Sequence, residues 1–172
     1  MGLKGESLKS QIIEWLTREG LEVRVEPVPP GVPVEWVIIV PIPGPAPINV
    51  AVQQPRGRPD VIAVTLGVMV GAEHREALSR LARDDRLILA SEMLKSLIVM
   101  CPDCAIAIQP SLEDFQFINV TKVEYAESAT RERILSTVKL MANAFTLIVT
   151  CINSTLASKG LYRKPPREPV VM

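Results

Sequence analysis

The stretch from Trp36 to Pro55 constrains the fold more than any other. It contains no charged residue, yet it holds Pro41, Pro43, Pro45, Pro47 and Pro55. Prolines at alternate positions remove backbone donors and clash with the preceding turn, so this apolar run cannot be a helix, buried or in a bilayer. Apolar residues that cannot be helical go into a sheet. Val34 to Val40 is almost continuously apolar and β-branched, and it reads as a strand buried on both sides. Ile48, Val50 and Val52 alternate with Asn49, Ala51 and Gln53 and predict the next strand. Between them, Pro41 to Pro47 reads as a stiff extended loop.

Periodicity organises the rest. Leu8, Ile12, Ile13, Trp15 and Leu16 predict a helix over Ser7 to Glu19, with Ser7 as N-cap and Gly20 just past its end. Leu21 to Glu26 alternates with period two, and Val61 to Val70 reads as a long strand with a bulge at Gly67. The middle is helical, capped in part by Asp84 or Asp85, and either two helices or one kinked helix fits. Cys104 to Gln109 and Phe115 to Tyr125 predict two more strands, and Ser128 would cap a last helix running to Lys159. The order α-β-β-β-β-α-β-β-α with hairpin-length links predicts an α+β class, an antiparallel sheet of five or six strands with helices. Residues 1–162 would form one domain and 163–172 a disordered tail.

Nineteen basic and 19 acidic residues cancel, which argues against a dedicated nucleic-acid or polybasic membrane protein. Leu140 to Ser158 is uncharged, but Asn143, Thr146, Thr150 and Asn153 form a polar stripe that suits a buried or interface helix better than lipid. No secretory signal opens the sequence, so a soluble cytoplasmic protein is expected. Fifteen prolines, and 12 Arg against 7 Lys, fit a thermophile.

The last helix carries two apolar stripes, Ile134-Val138-Met141-Phe145-Ile148-Ile152 and Leu135-Ala142-Val149-Leu156. Two stripes exceed what one sheet face requires, so a homodimer is expected, with Val138, Met141, Phe145, Ile148 and Ile152 at its interface. The alternative is a central helix covered on several sides within one subunit.

Cys101-Pro-Asp-Cys104 follows a helical run and precedes a strand. A thiol at the end of a helix is disfavoured as a thiolate, so the pair reads as a disulfide or as two reduced structural thiols rather than a redox catalyst. Zinc would need two further ligands, and only His74 and Cys151 remain. His74 sits among charges and reads as a surface residue, and Cys151 reads as an inert core thiol. Arg56 and Arg58 lie on a turn, and Arg80, Arg83 and Arg86 recur on a helix, where neighbouring carboxylates suit salt pairing. There is no phosphate loop or dinucleotide motif. No catalytic, cofactor or metal residue is assigned, and the protein is expected not to be an enzyme.

The element order, the apolar first helix with Leu16, Trp36 opening the second strand and a Ser128-capped last helix together resemble the type III secretion chaperone-like fold. The likeness covers roughly Ser7 to Lys159. It implies a homodimeric, chaperone-like module that binds a polypeptide partner. The alternatives are a small-molecule or anion-binding regulatory sensor, for which Arg56, Arg58 or Arg83 would line a pocket, and an uncharacterised enzyme.

Overall fold

The structure is a computed structural model that describes residues 3–44 and 47–161. Its elements run α1 (Leu3–Arg18), β1 (Arg24–Glu26), β2 (Val34–Ile42), β3 (Ile48–Pro55), β4 (Val61–Met69), α2 (Ala72–Ser79), α3 (Arg83–Met100), β5 (Cys104–Pro110), β6 (Phe115–Tyr125), a 3₁₀ turn (Ala126–Ser128) and α4 (Arg131–Ser158). The six strands form one antiparallel sheet in the order β1-β2-β3-β4-β6-β5. The α+β class and the antiparallel sheet are as the alternation of periods indicates.

Helix ends explain several boundaries. Gly20 adopts φ 76°, its N–H donates to the Thr17 carbonyl, and the N–H of Leu21 donates to the Leu16 carbonyl. These two bonds satisfy the last free carbonyls and fold Leu21 back onto the core. Gly160 and Leu161 end α4 in the same way. The helix starts differ from expectation. α1 begins at Leu3, so Ser7 lies inside it. Ala82, not an aspartate, precedes α3, and Asp84 and Asp85 sit in the first turn, where they face the positive end of the helix dipole. The chain after Tyr125 tightens into the 3₁₀ turn, which moves the start of α4 past Ser128. Thr130 is its cap, accepting from the Arg133 N–H at 3.3 Å.

Two strand details also differ. β2 runs on through Pro41 and Ile42, opposite Asn49 and Ile48. β1 pairs only with Val37 to Ile39, so beyond Ile39 strand β2 is open on that side, where a residue without a donor is tolerated. Pro45 lies outside the described residues, as does the tail 163–172. Gly67 marks no bulge, since the β4–β6 register is unbroken from Val61 to Met69. A Cβ at Gly67 would lie 3.0 Å from the Phe117 ring, so a side chain there would crowd that ring.

The helices share one side of the sheet. Ile38, Val52, Val64, Leu66, Ile118 and Val120 point into a single core with Ile12 and Leu16 of α1, Met93 and Leu97 of α3, and α4. α4 lies between α1 and α3 and crosses β3, β4 and β6. This placement corrects the expected dimer interface. Val138, Met141, Ile148 and Ile152 are buried inside one subunit, and only Phe145 of the five is half-exposed. Sheet and flanking helices cover most of both apolar stripes, leaving Ala142, Phe145 and Val149 half-buried. α4 is the one helix among the described residues long and apolar enough to cross a membrane by length and composition. Here its apolar side packs on the sheet, and Asn143, Thr146 and Thr150 form its exposed side.

Candidate functional site

Among the described residues, no helix lies over the opposite side of the sheet. Register and strand alternation place Asn49, Ala51 and Gln53 of β3 there, with Ala63, Thr65, Gly67 and Met69 of β4. β6 adds Phe117, Asn119, Thr121, Val123 and Tyr125, and β5 adds Ala105, Ala107 and Gln109. None of these positions is charged, and neither are the remaining outward ones on these four strands, Pro55 and Val61. On β1 and β2, at the far edge, charges do reach this side, as Arg24, Glu26 and Glu35. Met69, Val123 and Tyr125 are exposed, at 73%, 48% and 58%. Val37 and Ile39 continue the apolar surface on β2.

Two further features mark the centre of this face. Thr65 and Thr121 sit opposite each other across β4 and β6 and share a hydroxyl hydrogen bond at 3.1 Å. The Asn119 side-chain carbonyl, in register with Gly67 and Ala107, is buried with no hydrogen-bond partner among the described residues. A buried acceptor left unpaired costs about 1–3 kcal/mol.

The covered side treats polar groups in the opposite way. Glu124 is 3% exposed. Its carboxylate accepts from the Thr137 hydroxyl at 2.8 Å and faces Arg133 at 3.4 Å and Lys122 at 3.8 Å. Lys122 also reaches Asp103 at 3.2 Å. This network was not singled out from the sequence, though a signal existed. Glu124 and Lys122 share parity with the buried Ile118 and Val120.

The residues singled out from the sequence are not gathered together. Cys101 and Cys104 form a disulfide at the turn between α3 and β5, with Cα atoms 5.3 Å apart. Sulfurs bonded to each other offer no thiolate to zinc, and Asp103 beside them is committed to Lys122. Cys151 is a free thiol on α4, and burial pushes its pKa up. His74 is not a solvated surface group. It is half-buried, and its Nε2 hydrogen-bonds the Asn153 side-chain oxygen at 2.9 Å, joining α2 to α4. Arg56 pairs with Glu35, Arg58 with Asp60 and Arg83 with Glu113. The hydrogen bonds from Arg58 and Arg83 hold the Asp60 and Glu113 carboxyls below the usual carboxylate range. Arg56 and Arg58 lie on the turn between β3 and β4, and Arg83 at the start of α3. A small cavity of about 180 Å³ lies beside α2 and the β5–β6 hairpin, among Arg75, Ser79, Arg86, Glu113, Asp114 and Phe115.

Residues 8–152 match the model of the family described as "Uncharacterized conserved protein (DUF2299)", and the chain belongs to that family. No curated protein matches it. Among solved structures, an uncharacterized protein from Methanothermobacter thermautotrophicus superposes with a TM-score of 0.74 at 17% identity, over 87% of this chain and 99% of that one. That likeness shows a shared fold. YbjN from E. coli aligns over 88% of this chain and 90% of its own, at 10% identity, with a TM-score of 0.46.

Proposed function

We propose that this DUF2299 protein is a non-enzymatic, chaperone-like binding module that holds a partner polypeptide against the uncovered face of its sheet. One observation carries the reading: four adjacent strands, β3, β4, β6 and β5, present no charge to that side. An antiparallel sheet face that meets only water usually alternates core residues with polar and charged ones. A face of Ala, Thr, Val, Phe and Tyr with a few amides suits contact with another chain. The resemblance to the type III secretion chaperone-like fold supports the same reading, because proteins of that fold dimerise and hold an extended partner segment against their sheets. The disposition of reactive groups supports a non-enzymatic role: the histidine is bound to Asn153, two cysteines are joined, and the named arginines sit on carboxylates. The setting we propose is the cytoplasm of a thermophile, where an intracellular disulfide is at home.

A photo-crosslinking residue at Thr121, on the uncovered face, should trap a discrete polypeptide adduct in the cells that make the protein. The same residue at Asn143, on the exposed side of α4, should not. Adducts from Asn143 and none from Thr121 would reject the proposal.

Arg75 and Arg86 beside the small cavity give a second reading, a small-anion sensor, although Glu113 and Asp114 line it as well. Arg86 is held there by the carbonyls of Glu113 and Leu81, both at 2.7 Å. Inorganic phosphate that raises the melting temperature of the wild type but not of Arg75→Ala would favour it.

A further inference from the structure

The turn between α3 and β5 gathers three donor groups that a polypeptide-binding face does not use. Cys101 Sγ, Cys104 Sγ and an Asp103 carboxylate oxygen lie within 4.8 Å of one another. In the disulfide both sulfurs are occupied. The backbone that carries them is held by other bonds. The Cys101 N–H donates to the Leu97 carbonyl at 2.9 Å, and the Cys104 N–H donates to the Cys101 carbonyl at 3.2 Å. Cys104 is also the first residue of β5 and pairs with Lys122 of β6. Opening the S–S bond therefore leaves two thiols facing each other in a turn that is already fixed.

Asp103 is oriented as well. Lys122 holds its Oδ2 at 3.2 Å, and Oδ1 lies 3.3 Å from Cys101 Sγ. A carboxylate gripped through one oxygen presents the other to a neighbouring ion. Two thiolates and a carboxylate carry three negative charges, which Lys122 and a divalent cation would balance. The end of α3 disfavours a free thiolate, but for the same reason it favours a cation.

We infer that reduction of the Cys101–Cys104 disulfide opens a site for a thiophilic divalent ion of the zinc class, held by Cys101, Cys104 and Asp103 with water in the fourth position. A dithiol supplies the electrons. Its thiolate attacks Cys104 Sγ, the more accessible sulfur, since Cys101 is 2% exposed and Cys104 half-buried. The S–S bond breaks, and Cys101 leaves as a thiolate and takes a proton. The second thiol of the reductant then displaces Cys104, which is protonated in turn, and the reductant closes as its own disulfide. Two electrons and two protons have passed to the cysteines, and the metal ion displaces both thiol protons on binding. Cys104 packs toward the helices with Ile106 and Ile108. The site is thus apart from the uncovered face and does not rest on the polypeptide-binding reading.

Anaerobic titration with cobalt(II), before and after reduction by dithiothreitol and its removal, tests the inference. The oxidised protein should show no thiolate-to-cobalt charge-transfer band. The reduced protein should keep its circular dichroism spectrum and bind one cobalt(II) with an intense near-ultraviolet band that zinc(II) bleaches. Cys104→Ser should lose most of that band. Asp103→Asn, at an exposed side chain, should keep the fold and bind about tenfold more weakly. Cys151→Ala should bind as the wild type does. A disulfide that dithiothreitol does not open, a reduced protein that unfolds or gives no band, or equal binding by Asp103→Asn overturns the inference. A band abolished by Cys151→Ala overturns it as well, by placing the metal on the other thiol.

Discussion

Strand β6 carries Ile118, Val120, Lys122 and Glu124 toward the helices and Phe117, Asn119, Thr121, Val123 and Tyr125 toward the uncovered side. On the helix side, volume is filled by fully buried aliphatic groups, and the one buried carboxylate is met by Thr137, Arg133 and Lys122. On the other side, water could solvate charges at no desolvation cost, yet β6 carries no charge there and the Asn119 amide oxygen has no hydrogen-bond partner among the described residues. Folding of the single chain accounts for the first side. It does not account for the second, where surface charge would improve solubility without disturbing the core. The partner polypeptide proposed above would account for the composition of the uncovered face.

The comparison breaks most sharply within that one strand. Ile118→Ala should lower the unfolding free energy by about 2–5 kcal/mol. Val123→Ala, five residues on and facing the other way, should change it by less than about 0.5 kcal/mol. Urea denaturation of both variants checks this, and equal losses would mean that the uncovered face is part of the folding core. Gly67→Ala should come next, destabilising by about 1–3 kcal/mol as the new methyl meets the Phe117 ring. Combining it with Phe117→Leu should recover part of that loss, which a double-mutant cycle would read.

Asn119→Val should act in the opposite direction. It removes the unpaired acceptor and adds a β-branched strand residue, so the isolated protein should gain about 1 kcal/mol. A gain in stability on the uncovered face, where Ile118→Ala on the covered face loses it, is the signature of a surface not optimised for folding alone. The smallest effect lies outside both faces. The Glu113 carboxyl is held low by the hydrogen bond from Arg83 and then by the charges of Arg83 and Arg86. A carboxyl depressed in the folded state adds stability that is fully present above its unfolded pKa and is lost as pH falls through the folded one. Glu113→Gln should therefore flatten the acid limb of the stability curve slightly and leave neutral pH almost unchanged. Both side chains reach solvent, and screening keeps the effect small.

Much of the fold was legible because both periods are clean. The alternation at Ile48 to Gln53 and the uncharged proline run together demand a sheet, and Gly20 and Gly160 mark helix ends by the backbone conformation they adopt. Local signals failed where two residues compete for one role. Ser128 and Thr130 both suit an N-cap, and only the 3₁₀ turn decides between them. The apolar stripes of α4 show that the helix is covered, but not whether by its own chain or by another, and the central place of α4 between α1 and α3 settles that. The uncovered face was hidden for a similar reason. The strand residues that compose it are spread over four strands, and each strand alone reads as ordinary alternation. Their shared lack of charge emerges only when the sheet order sets β3, β4, β6 and β5 side by side.

The most direct test of that face is NMR chemical-shift mapping with a permanently unfolded, carboxymethylated polypeptide as the probe. Binding should perturb the amides of Thr65, Asn119, Thr121 and Val123 while leaving the exposed side of α4, at Asn143, Thr146 and Thr150, unmoved. Shifts confined to the helix side, or none at saturating probe, would contradict the account.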